Sequence, residues 1–238
     1  MASTDAASLR VISAGAVEYI VTALVGPFTR DTGIAVDFTF NTIAGVRQRL
    51  AAGEVGDIVI GTTPAIRQME EAGTVVTGSL VELGRTLTGI CVRQGTPVPD
   101  ISTPEALEMA LVMARSFAYT NPAAGGTSGI FLTGLMERLG ILAEVEAKSV
   151  LCINGEDVVA KVVSGQAEIG STFVSEFIQA KGIVSAGPLP AAIGNATSYS
   201  AALLAVGTKR QTAQRFIANI TAPAQRPAWV KGGFEPAG

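Results

Sequence analysis

The feature that most constrains the fold is an alternation of short apolar runs with segments of helical periodicity. In the first eighty residues, strand-like runs occupy residues 9–13, 34–40 and 56–61, and a helix-like segment follows each run. The third helix has clear end signals, with Thr63 as N-cap, Pro64 at its first position and Gly73 as C-cap. This order predicts an α/β fold with mostly parallel sheets flanked by helices.

The second half of the chain repeats the alternation. A strand at residues 116–121 leads into the turn GGTSG and a helix at 130–140, and a helix at 156–166 precedes a strand at 167–173. Two longer segments predict crossover strands near residues 82–92 and 186–204. We therefore expect two lobes, residues 1–84 with 200–238 and residues 85–199, and ligands at the carboxyl ends of the strands.

The composition excludes several kinds of chemistry. The 238 residues include no histidine, which rules out Ser-His and Cys-His nucleophile pairs and histidine-bound zinc. Cys91 and Cys152 stand alone without a CxxC pattern, so two buried thiols are expected rather than a metal site or disulfide. The net charge of −3 has no basic run, which argues against nucleic acid as a partner. We expect no metal and no cofactor.

Membrane insertion is not expected, because no apolar stretch approaches the roughly 20 residues of a spanning helix. The start MASTDAASLR lacks the basic region and apolar core of a signal peptide. The expected location is the periplasm if a signal peptide has been removed, and the cytoplasm otherwise. We expect a monomer.

Four segments together resemble the type II periplasmic binding fold and, within it, the molybdate-binding-protein group. They are VISAGAVEYI, FTFNTIAGVRQRLAAGEVGDIVIGT, TNPAAGGTSGIFLTGLMERLGI and GEDVVAKVVSGQAEIGSTFVSE, and the likeness covers nearly the whole chain. The resemblance implies two α/β lobes that close on an anion in the cleft between them. Hydroxyl groups and backbone N–H groups at helix starts hold the anion in such proteins, as the helix dipole favours.

The family's binding positions map onto this chain with telling differences. The resemblance places Ser13, Gly15 and Ala16 at the first helix start, and Ala16 falls where relatives carry a serine. The serine of the second turn falls on Thr42, with Ala44 or Gly45 as alternatives, and the cleft tyrosine falls on Phe173.

The backbone N–H donors of the family fall near Ser128 and Val158. The side-chain differences remove at least two hydroxyl donors, each worth about 1.5 to 3 kcal/mol to a charged ligand. A tetrahedral oxoanion such as molybdate is therefore disfavoured.

Glu18 is the candidate catalytic residue, since it lies in the first turn of the first helix beside the expected anion position. One interpretation is a partner for the helix dipole, worth about 0.3 to 1 kcal/mol. The other is a general base, because an acid beside a bound anion is tolerable when it takes a proton in the reaction.

Other residues are candidates for holding a carboxylate. Thr62 and Thr63 follow a buried strand, although capping alone would explain Thr63. Thr127 and Ser128 follow a glycine-rich turn that would admit a ligand or serve a purely structural purpose. Arg85 has a guanidinium fork suited to carboxylates, or it forms a salt bridge at the hinge.

Two functions of different class remain open. Most relatives of this kind are solute-binding proteins that deliver an anion to an ABC-type permease, while one branch includes aconitate isomerase. Isomerisation of a di- or tricarboxylate by 1,3 proton transfer needs carboxylate clamps and one base, and no cofactor. The lost hydroxyls and the gained acid favour the isomerase over the transport protein.

Overall fold

The computed structural model describes residues 8–237, which form two compact units. The first unit contains the described residues up to Arg85 and from Ser198 onward, and the second is Thr86–Thr197. Both boundaries fall within strands, β4 (Val81–Arg93) and β9 (Ala196–Leu203). The chain therefore passes between the units along two strands.

The first unit alternates strands and helices. Its elements are β1 (Ser8–Ala14), α1 (Glu18–Thr32), β2 (Ala35–Asn41), α2 (Ile43–Ala51), β3 (Ile58–Thr62) and α3 (Thr63–Glu71), then α9 (Arg210–Ile220), α10 (Arg226–Lys231) and β10 (Phe234–Pro236) after the return. Its strands run in the order β2, β1, β3, β9, with the first three parallel and β9 antiparallel to β3. Every residue of β3 is buried, as its continuous apolar run predicts.

The second unit is built in a similar way. Its elements are α4 (Pro104–Met113), β5 (Phe117–Thr120), α5 (Thr127–Leu139), α6 (Leu142–Glu146), β6 (Ser149–Cys152), α7 (Gly155–Val163), β7 (Ile169–Phe173), α8 (Val174–Phe177) and β8 (Ile183–Pro188). The strand order is β4, β7, β5, β6; β5 is parallel to both neighbours, and β4 is antiparallel to β7 and β8.

Each unit has its own apolar core. In the first unit, Ile12, Val59 and Ile66 join one face of the sheet to the helices. In the second, Phe117, Leu132 and Met136 are fully buried between β5 and α5. Burial of such side chains supplies about 1.5 to 3 kcal/mol each, so each core holds its sheet edge and helix starts in place.

Candidate functional site

The carboxyl ends of β1, β2 and β3 meet at one edge of the first unit. The parallel register pairs Ala14 with Asn41 and Ser13 with Ile60, so the three strands end nearly level. A helix starts directly after each of them. Helix starts carry unpaired N–H groups and a partial positive charge, so this edge is suited to an anion.

Glu18 is the first residue of α1 and is exposed. A single 3-10 turn, Gly15–Val17, separates it from β1. Within that turn Ala16 is buried and brings no polar group. In β1, Ser13 is fully buried, and its hydroxyl donates to the carbonyl of Ala14 at 3.0 Å. The carboxylate of Glu18 is therefore the polar side chain that begins this helix.

Thr42 is the N-cap of α2. Its hydroxyl oxygen accepts from the N–H of Gly45 at 3.2 Å, which leaves the hydroxyl proton able to donate. Sequence reasoning missed the neighbouring Asn41, whose Oδ1 accepts from the N–H of Thr42 at 2.8 Å. A Cβ on Gly45 would lie 2.2 Å from that same Oδ1, so the Asn41 side chain rests over the helix start. The signal for it was the polar pair at the end of an alternating strand.

The third helix start corrects one prediction. Thr62 is the N-cap residue and Thr63 is the first residue of α3, so the N-cap assigned to Thr63 was one position late; the C-cap is Ala72, one residue before the predicted Gly73. Neither threonine forms the expected side-chain cap bond. The hydroxyl of Thr63 instead pairs with that of Ser200 at 2.8 Å. Thr62 is buried opposite Tyr199 of β9.

Arg85 forms an ion pair inside the first unit. Its Nε lies 2.5 Å from Oε2 of Glu235, and both side chains are more than half exposed. This is the salt-bridged alternative for Arg85. Its use as a clamp for a carboxylate would require that pair to open, which costs little for an exposed pair.

The second unit presents a similar edge where β5, β6 and β7 end. Thr127 is the half-buried first residue of α5 and Ser128 is its buried second residue. The N–H groups of a helix's first residues have no partner within the helix, so both positions are suited to donate to an anion. The N-cap residue, Gly126, has no side chain that could cap these N–H groups.

The glycines of GGTSG serve packing within the second unit. A Cβ on Gly129 would lie 1.8 Å from the carbonyl oxygen of Thr120, and one on Gly126 would lie 2.7 Å from the Thr120 hydroxyl. Gly125 has a left-handed φ of 76°. These glycines allow α5 to start against the end of β5, which is the structural alternative to close approach of a ligand.

Two further predicted residues have other roles. Val158 is fully buried in α7, and its N–H donates to the carbonyl of Asn154 at 3.2 Å, so that N–H is already used within the helix. The helix begins three residues earlier, at Gly155. Phe173 ends β7 as a buried side chain without a hydroxyl, and its N–H donates to Oε2 of Glu176 at 3.3 Å.

Sequence reasoning also missed Glu176. Its carboxylate accepts from the hydroxyl of Thr172 as well as from the N–H of Phe173. A Cβ on Gly155 would lie 2.1 Å from the same carboxylate, which therefore rests against the first residue of α7. An acid three residues after a helix N-cap is the available sequence signal, and it was present in TFVSEF.

Other features of the described chain are a cavity and two thiols. A cavity of about 570 Å³ in the second unit is lined by residues such as Arg93, Arg115 and Glu168, at the amino ends of β5 and β7. Cys91 and Cys152 are buried free thiols, and burial raises the pKa of each to about 12. Among residues 8–237 no three acidic, cysteine or histidine side chains form a metal cluster, and no helix there is long and apolar enough to span a membrane.

Comparison with known proteins places the chain among binding proteins. The chain is 27% identical to an aconitate isomerase of a Pseudomonas species, in an alignment that covers 99% of this chain and 90% of that protein. The periplasmic molybdate-binding protein of Azotobacter vinelandii superposes with a TM-score of 0.78 at 18% identity, over 95% of this chain and 98% of that one.

The sulfate-binding protein SubI of Mycobacterium tuberculosis H37Rv gives a TM-score of 0.78 at 15% identity, over 97% of this chain and 87% of that one. These likenesses confirm the predicted α/β fold of two-lobed periplasmic binding proteins. The family model described as bacterial extracellular solute-binding protein matches residues 9–235. The chain belongs to this family of bacterial extracellular solute-binding proteins.

Proposed function

We propose that this protein binds a small unsaturated di- or tricarboxylate and isomerises it by 1,3 proton transfer, as between cis- and trans-aconitate. The observation that carries the proposal is Glu18, an exposed carboxylate that begins α1 at the carboxyl end of β1. The 27% identity to an aconitate isomerase along nearly the full chain supports it.

The reaction balances with one base. Glu18 takes a proton from the CH₂ carbon of the substrate. The electron pair of that C–H bond forms the new double bond to the central carbon, and the pair of the old double bond moves to the far carbon. The proton then returns from Glu18 to the carbon at the far end of the three-carbon unit. Atoms, charge and oxidation state are unchanged, so the step needs no cofactor.

The remaining donors suit carboxylates. The hydroxyl of Thr42, the hydroxyl of Thr127 and the N–H groups at the start of α5 are the groups we assign to holding substrate carboxylates. Ala16 and Phe173 offer no hydroxyl, and both are buried. A tetrahedral oxoanion would therefore leave several oxygens without donors, whereas a planar carboxylate needs fewer.

Delivery of a small anion to an ABC-type permease is the second candidate function. The match of residues 9–235 to a solute-binding family favours it, since binding in such proteins precedes transport. In both cases the periplasm is the location we propose. The two functions differ in whether the bound anion changes.

Turnover separates the two functions. Catalytic amounts of protein are incubated with cis-aconitate, and the trans isomer is followed by proton NMR. The isomerase predicts many turnovers per protein molecule, and Glu18→Gln should reduce kcat by about 10²-fold or more while binding persists. Stoichiometric binding without conversion would support the transport function instead.

A matched variant controls for the loss of a helix-start charge. Glu105 is an exposed acid in the first turn of α4, as Glu18 is in α1. Glu105→Gln should leave turnover unchanged. If Glu18→Gln turns over substrate as fast as Glu105→Gln, Glu18 is a dipole partner and not the base.

A further inference from the structure

A row of buried hydroxyl groups crosses the carboxyl edge of the second unit. The Oγ1 of Thr120 lies 3.0 Å from Oγ of Ser128, which lies 3.4 Å from Oγ1 of Thr172. All three side chains are buried. The row ends at a carboxylate, because the Thr172 hydroxyl donates to Oε2 of Glu176. Three elements, β5, α5 and β7, therefore share one hydrogen-bonded chain with an acid at its end.

The carboxylate sets the direction of every bond in this row. An ionised carboxylate only accepts, so Thr172 commits its single proton to Glu176. The oxygen of Thr172 then accepts from Ser128, and the oxygen of Ser128 accepts from Thr120. With Glu176 ionised, all three hydroxyl protons point toward it and none of them is available to a bound anion.

The same carboxylate lies at a helix start that would otherwise suit an anion. It rests against Gly155, the first residue of the nine-residue helix α7. The Asn154 side chain already accepts from the N–H of Asp157 at 2.8 Å. The start of α7 is therefore supplied with internal partners, and a second anion placed there would meet a like charge.

A capping role explains part of this arrangement. Glu176 is the third residue after the N-cap Phe173, and its bond to the N–H of Phe173 is the usual reach of such an acid. Capping does not account for the bond from Thr172 or for the connected hydroxyls of Ser128 and Thr120. Those contacts link the acid to the start of α5.

We infer that Glu176 takes up one proton from solvent when an anion binds at the start of α5, an inference that rests on the anion-binding part of the proposed function. Protonated Glu176 donates to Thr172, and the row reverses so that Thr172 donates to Ser128. The hydroxyl of Ser128 can then donate its hydrogen bond to the incoming carboxylate. One O–H bond forms at Glu176, and otherwise only the direction of the hydrogen bonds changes.

The surrounding charges are consistent with this uptake. The elements packed against α8 are α7, β7 and β8, and β4 also contacts it, since the N–H of Ser175 in α8 donates to the hydroxyl of Thr86. Strands β7 and β8 contain no titratable side chain. Helix α7 carries Glu156, Asp157 and Lys161, and β4 carries Glu82, Arg85, Cys91 and Arg93. The acids and bases on these elements are equal in number, so the incoming anion is the like charge that favours a neutral Glu176.

Calorimetry in two buffers measures the proton directly. Trans-aconitate and, separately, sodium sulfate are titrated into the protein at pH 7.5 in HEPES and in Tris, whose ionisation enthalpies differ. The dependence of the observed heat on the buffer gives the protons taken up per anion. The wild type should take up close to one. Glu176→Gln should take up none and bind the anion about tenfold more tightly, because the like charge is gone.

Two further variants make the result specific. Thr172→Val keeps the carboxylate but cuts the row, so proton uptake should also be lost. Glu156→Gln removes an exposed charge from the first turn of α7 and should behave as the wild type. Uptake that persists in Glu176→Gln, wild-type binding without uptake, or no binding of either anion would overturn the inference.

The outcome is separable from that of the proposed function. Sulfate binding with proton uptake, without aconitate turnover, would keep the role of Glu176 and remove the isomerase. Aconitate turnover without proton uptake on binding would keep the isomerase and remove the role of Glu176. If Glu176→Gln lowers thermal stability and changes neither affinity nor uptake, the residue is only a helix cap and the inference is wrong.

Discussion

Replacing Gly129 by alanine tests how the start of α5 is positioned. An ideal Cβ at this position would lie 1.8 Å from the carbonyl oxygen of Thr120 and 2.8 Å from its carbonyl carbon. Ordinary contacts of a Cβ begin near 3.4 Å. The obstacle is backbone and not a flexible side chain, so the helix start must move away from β5 by about 1.5 Å.

This movement has a predictable cost. Overpacking of a close interface costs about 1 to 3 kcal/mol and more when backbone must move, so we expect a loss of about 3 kcal/mol. For a chain of this length, that loss lowers Tm by about 6 to 12 °C. The N–H groups of Thr127 and Ser128 move with the helix, and a displacement near 1 Å is enough to reduce turnover by about 10²-fold.

Gly134 in the same helix is the matched control. The atom nearest to a Cβ added at Gly134 would be Nη1 of Arg138, at 3.7 Å, which is an ordinary contact. Gly134→Ala should therefore be neutral or stabilise the helix by up to about 1 kcal/mol. Thermal unfolding followed by circular dichroism compares the two variants. Equal Tm values would refute the close approach of α5 to Thr120.

Two other predictions concern stability. Asp57 is buried, and its carboxylate accepts from the N–H groups of Arg10 at 3.0 Å and Lys209 at 3.2 Å, so Asp57→Ala should cost about 3 kcal/mol in urea unfolding and Asp57→Asn about half of that. Because burial raises the pKa of the Cys91 and Cys152 thiols to about 12, the folded protein keeps protons that the unfolded chain releases near pH 9. The urea midpoint should therefore fall as pH rises from about 9 toward 12, and Ellman's reagent at pH 8 should label both thiols only after unfolding.

The sequence predicted the first helix start better than the others. Periodicity alone placed Glu18 in the first turn after a strand, because the change from an apolar strand to helical spacing occurs within a few residues. It placed the cap of α3 one residue late, since Thr62 and Thr63 are chemically alike and only backbone geometry distinguishes them. It also missed β6, whose four residues carry too little periodicity to stand out between α6 and α7.

Side-chain partners were beyond any reading of the sequence. Arg85 and Glu235 are 150 residues apart, and Thr63 and Ser200 are 137 apart, so no local pattern could join them. The same holds for the link between Ser128 and Thr172. Such contacts follow from the order of strands in a sheet, which is set by the packing of the whole unit.

The sequence by itself determined the α/β class, the alternation of strands and helices, and the acid at the start of α1, because each follows from local periodicity and end signals. The tertiary structure decided which polar groups remain available. It brought Glu176 to the end of a hydroxyl row against Gly155, and it paired Thr63 with Ser200. The physical reason is that a hydrogen-bond donor can serve one strong partner at a time, and only packing brings distant partners within reach.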